Sequence, residues 1–201
     1  MPCPMIGSPA RLPLSNGLKL RRTTMAAKTI SINRAPVFTL WAAIVAQRLG
    51  FDEDEALTLG KAVAGLNAQA KGRRLGIFKP HEEKPAAARK KAQGEEFQVE
   101  ICGRAVPAKN SADGVRAVHG RQEIDPNTVK KYLASKFGDE LPTVRAALEK
   151  LARSYSPKKL AQEGYSLYEQ FRPRIPAGVR GWGAKGNLDL GLIERLAKKE
   201  A

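Results

Sequence analysis

Between residues 36 and 71 the apolar positions recur at helical spacing. Phe38, Trp41, Val45 and Leu49 share one face, and Val37, Leu40 and Ile44 widen it around much of the cylinder. That breadth predicts a central helix buried on most sides. Pro36 is expected at its first position, where the locked φ suits initiation, and Gly50 at its end. Asp52 and Glu55 have capping-box spacing and open a second helix running to about Lys71. In that helix Ala56, Gly60, Ala64 and Ala68 fall four apart, a row of small residues that admits a close neighbour. A glycine inside a helix costs about 1 kcal/mol relative to alanine, so both Gly60 and Gly65 are expected to have a packing reason. The first helix is the natural partner.

The period changes at Phe97, Val99 and Ile101, which alternate with Gln98 and Glu100 as in a half-buried strand. Cys102 is read as part of that strand, Gly103 and Arg104 as a turn, and Ala105 to Pro107 as its partner. Val115 to His119, after a turn at Asp113 and Gly114, adds extended chain. Two or three such strands are marginal alone and must lean on helices. Helical spacing returns behind Asp125 and Pro126, with Val129, Tyr132, Leu133 and Phe137 up to Gly138. It continues with Leu141, Val144, Leu148 and Leu151, then behind Ser156 and Pro157 with Leu160, Leu167, Tyr168 and Phe171. A last helix spans about 188–199 with Leu192, Ile193 and Leu196. The fold class is mainly α (α+β): an N-terminal helical hairpin at 25–79, a linker at 80–95 marked by Pro80 and Pro85, a small β element at 96–125, and a C-terminal helical bundle at 126–201.

Charge adds a functional bias to this frame. The 201 residues carry a formal charge of +15, which favours nucleic acid or another polyanion as partner. The excess sits at the ends: residues 1–34 hold six bases and no acid, and residues 126–201 hold fifteen bases against eight acids. Residues 1–24 mix four prolines with scattered bases and no apolar face. They read as an unfolded leader, either a transit peptide or a reading frame extended upstream of a start at Met25, and the second is preferred. Only Cys3 and Cys102 occur, which gives no disulfide framework and points to a reducing, cytoplasmic compartment. The longest apolar run, Pro36 to Leu49, is too short to span a bilayer and contains Gln47 and Arg48. No integral membrane association is expected.

Candidate chemistry is sparse. The first two helices superficially resemble a helix-turn-helix, but Asp52, Glu53, Asp54 and Glu55 at the start of the would-be reading helix would face phosphates. A packed hairpin is the better reading. From Lys71 to Lys79, Arg73 and Arg74 stand among glycines in a loop suited to phosphate. The plainer account has Gly72 as helix cap, with Ile77 and Phe78 anchoring the chain to the core. The most unusual stretch runs from Arg172 and Arg174 to Arg180, Gly181, Trp182, Gly183, Lys185 and Gly186. Its three glycines match a dinucleotide fingerprint in spacing, but no strand precedes them, and that reading is rejected. A tryptophan among glycines and cations, with a helix start to follow, suits base stacking and phosphate; the alternative is a buried plug. His81, His119 and Cys102 lack metal-ligand spacing, and Glu82, Glu83 and Glu123 look like solvated charges. No catalytic residue, metal site or cofactor is assigned.

Residues 34–78 and 165–192, including the Arg180-Gly181-Trp182-Gly183-Ala184-Lys185-Gly186 run, resemble a family of small bacterial proteins of uncharacterised activity. The resemblance implies a bacterial cytoplasmic setting and transfers no functional residue. The leading expectation is a non-catalytic binder of nucleic acid or another polyanion, with Arg172, Arg174, Arg180, Trp182, Lys185, Arg73 and Arg74 as contacts. The alternatives are a structural or adaptor protein that uses the small-residue row and exposed aromatics to hold a protein partner or a second copy, and an enzyme acting on a small phosphorylated substrate.

Overall fold

The computed structural model describes residues 28–77, 96–119, 122–179 and 183–199. The readings of the leader, of the 80–95 linker, and of Phe78, His81, Glu82, Glu83, Arg180 and Trp182 lie outside the described residues.

The wide apolar face of the first helix is buried as its breadth predicts. Helix α1 spans Arg34–Arg48, and Pro36 through Ala46 are all buried. It starts two residues before Pro36, with Asn33 as N-cap. Pro36 therefore occupies the third helical position, where its missing N–H still falls among amides that have no intrahelical acceptor. Gly50, at φ +102°, turns the chain. Helix α2, Glu53–Arg74, opens with the expected capping box: Glu55 N–H donates to Asp52 Oδ1 at 2.7 Å, and Asp52 N–H donates to Glu55 Oε2 at 3.0 Å. It ends beyond Gly72, which remains helical. Gly76 (φ +68°) is the terminator. The amides of Gly76 and Ile77 donate to the carbonyls of Arg73 (3.0 Å) and Gly72 (2.9 Å), a Schellman closure.

The small-residue row explains one glycine and not the other. A Cβ on Gly60 would stand 2.6 Å from the Ala43 nitrogen and 2.7 Å from the Thr39 oxygen, so the α1 and α2 backbones touch there. A Cβ on Gly65 would meet nothing within 4 Å, so the packing reason expected for it is absent. Ala56 and Gly60 of the row are buried in the hairpin, whereas Ala64 and Ala68 are half-buried.

The β element has four strands, in the antiparallel order β2 (Glu96–Ile101), β3 (Arg104–Ser111), β4 (Gly114–His119) and β5 (Gln122–Glu123). The first turn is Cys102–Gly103, with φ of 53° and 69°, the positive pair that a two-residue type I′ hairpin requires. Cys102 is thus a turn residue, not a strand residue. The sheet leans on α2 through side chains from that helix's first turns. Glu55 Oε1 accepts Val115 N–H at 2.7 Å, and Thr58 Oγ1 accepts Ala117 N–H at 3.2 Å.

A second, two-stranded ribbon joins β1 (Thr29–Asn33) to β6 (Lys185–Asp189). The bundle consists of α3 (Pro126–Phe137), α4 (Leu141–Arg153), α5 (Pro157–Phe171) and α6 (Leu190–Lys199). Asp125 and Ser156 cap α3 and α5 as expected. Helix α6 starts at Leu190 because Leu188 belongs to β6. Trp41 ties the hairpin to the bundle: it is fully buried, its Nε1 donates to Gly164 O at 2.8 Å, and its ring meets Phe171 edge-on. The fold is mainly α, with small antiparallel sheets. Among the described residues no helix is long and apolar enough to cross a membrane.

Candidate polyanion-binding surface

Strand β6 reads Lys-Gly-Asn-Leu-Asp, with Gly186 and Leu188 buried and Lys185 and Asn187 exposed. Across it lies Arg174, whose N–H donates to Asn187 O at 3.0 Å and whose O accepts Asn187 N–H at 2.9 Å. Gly186 permits this approach, because a Cβ there would stand 3.0 Å from the Pro173 and Arg174 backbone. Arg34 Nε holds the same segment by donating to Pro173 O at 2.9 Å.

Directly paired residues on antiparallel strands project to the same side. Arg174, Asn187 and Ser31 therefore form one row of the outer face, and Lys185 with Asn33 the next. Arg174 and Lys185 are diagonal neighbours, about 7 Å apart at Cα. Both are exposed and neither has an ion-pair partner among the described residues. The carboxylate of this ribbon, Asp189, is engaged elsewhere: its Oδ1 accepts Leu192 N–H at 3.0 Å, and Arg195 Nη2 lies 3.5 Å from its Oδ2. The outer face thus holds two cations unpaired among the described residues, beside the Asn187 and Asn33 amides and the Ser31 hydroxyl. A strand follows the glycine-rich stretch, in place of the expected helix start, and Gly186 lies inside it.

The other expected contacts separate. Arg172 is half-buried and bonded to Glu169 Oε1 at 3.1 Å, so its charge is compensated. Arg73 and Arg74 are exposed on the last turn of α2. The Gly60–Ala43 contact sets Arg34 opposite roughly residue 69, which brings these arginines to the hairpin end that carries the ribbon. Beyond them Leu75 and Ile77 are 54% and 50% exposed, so Ile77 does not anchor the chain to the core.

One basic cluster was not foreseen from the sequence. The C-terminal ends of α4 and α6 meet, with Ser154 Oγ donating to Ala197 O at 2.9 Å. The exposed cations Lys150, Arg153, Lys198 and Lys199 gather there. Last-turn bases were visible in each helix, but nothing in the sequence brings the two ends together. The helix dipoles account for cations at these termini, whereas Arg174 and Lys185 have no such local reason. Two of the acids that argued against a helix-turn-helix are held in surface ion pairs: Glu53 Oε1 lies 2.9 Å from Arg145 Nη1, and Asp54 Oδ1 lies 2.6 Å from Lys130 Nζ.

Reactive groups are dispersed. His119 and Glu123 are exposed, and among the described residues no three His, Cys, Asp or Glu side chains are grouped to hold a metal ion. Burial pushes the Cys102 thiol up to about 12, which keeps it protonated and a poor nucleophile. Compared with known protein families, curated proteins and solved structures, the chain matches none.

Proposed function

We propose that the protein is a non-catalytic module of the bacterial cytoplasm that binds nucleic acid through the outer face of the β1–β6 ribbon. The observation that supports this reading is the pair Arg174 and Lys185, two exposed cations on one face without an ion-pair partner among the described residues. Two such groups, flanked by the Asn187 amide and the Ser31 hydroxyl, suit consecutive phosphates of one strand. Arg180 and Trp182, adjoining in sequence, are assigned to phosphate and base stacking, and Arg73 and Arg74 to the flank. Arg172 contributes less because Glu169 already holds it.

The test is fluorescence anisotropy with a labelled single-stranded oligonucleotide. R174A/K185A is expected to weaken binding on the order of tenfold, and W182A to weaken it further by removing the stacking group. K198A/K199A deletes the same charge from the end of α6 and should leave affinity nearly unchanged. Equal losses in the two double variants would mean that net charge, not the ribbon face, governs association.

A further inference from the structure

An open groove of about 360 Å³ lies between the last turns of α2 and the tip of the β2–β3 hairpin. Helix α2 lines it with Leu66, Gln69, Ala70 and Arg73, and the hairpin with Gly103, Arg104 and Ala105. No carboxylate lines it, and neither arginine has an ion-pair partner among the described residues. We infer that this groove binds a small organic anion with an apolar body, such as an aryl or acyl carboxylate, sulfonate or phosphate.

Both walls are fixed before any ligand arrives. On the hairpin side Gly103 N–H donates to Ala161 O at 2.6 Å, and Cys102 packs against Gly164. Gly103 sits at φ +69°, and a Cβ there would stand 2.9 Å from Gln162 O, so this tip admits glycine alone. On the helical side the Schellman closure at Gly76 and Ile77 holds the turn that bears Arg73. The fixed backbones bring two guanidinium groups to one opening, where they suit carboxylate or phosphate once their side chains are ordered. The α2 C-terminus brings roughly half a negative charge, against two full positive charges from the arginines. The volume lies near the lower end of small-molecule sites, about 300–1,000 Å³, and suits one or two rings. A long polyanion has no need of the apolar side chains Leu66, Ala70 and Ala105 in the lining, and it is these that favour an amphipathic ligand.

The probe is 8-anilinonaphthalene-1-sulfonate, titrated against the full chain by fluorescence. Saturable one-to-one binding is expected, weakened at least tenfold by R73Q or by R104Q and little changed by R74Q. N-phenyl-1-naphthylamine, which has the same rings without the sulfonate, is expected to bind at least tenfold more weakly. Unchanged binding in R73Q and R104Q, or equal binding of the neutral probe, overturns the assignment. R174A/K185A, which removes the ribbon contacts, should leave probe binding intact, so the two proposals fail separately.

Discussion

Two glycines of one helix should respond to alanine with opposite signs. At Gly60 the new methyl would lie 2.6 and 2.7 Å from the Ala43 nitrogen and the Thr39 oxygen. Both are backbone atoms that no rotamer change can move, so α1 and α2 must separate by several tenths of an ångström. Overpacking of this kind costs about 1–3 kcal/mol, and alanine's better helix propensity recovers about 1 kcal/mol. A net loss of up to about 2 kcal/mol is expected for Gly60→Ala. Gly65 faces no atom within 4 Å, so Gly65→Ala keeps only the propensity term and gains up to about 1 kcal/mol. Each kcal/mol moves the melting temperature by about 2–4 °C in a chain of this size. Urea and thermal unfolding followed by circular dichroism read both shifts. If the two variants move in the same direction, the close helix contact does not exist as described.

Thr58→Val should cost about 1–3 kcal/mol in urea unfolding, because the buried Ala117 N–H loses its acceptor while side-chain shape is kept. Cys102, in a Cys3→Ser background, should react with a thiol reagent about a thousandfold more slowly in the folded chain than in urea, since burial raises its thiol from an ordinary 9.0 to about 12. The sign follows from that shift: the folded state favours the neutral thiol, so Cys102 supports stability below its unfolded value and loses that support as pH rises above it. Shortening the chain to begin at Arg34 removes β1, including Ile32 at 3% exposure, and should lower the melting temperature well below that of a chain beginning at Met25.

Elements with a local code were legible in the sequence. The Asp52–Glu55 box, the Asp125 and Ser156 caps and the broad face of α1 each follow from a few adjacent residues. The β1–β6 ribbon was not legible, because its strands are five residues long and their pairing joins the two ends of the fold. Strand β6 has one large apolar residue, Leu188, too little for an alternating signal. Arg174 and Lys185 could be singled out as cations near glycines. Their shared face could not, since it depends on the Arg174–Asn187 bridge and on the bare surface of Gly186. Arg104 was overlooked for a similar reason: only the fold brings the hairpin tip beside Arg73.

The most direct test of ribbon binding is the salt dependence of the association constant. Each phosphate contact on a single strand contributes about −0.7 to the slope of log K against log salt. Wild type and K198A/K199A are predicted to share one slope, and R174A/K185A to be shallower by about 1.4. Parallel lines for all three proteins would contradict the account.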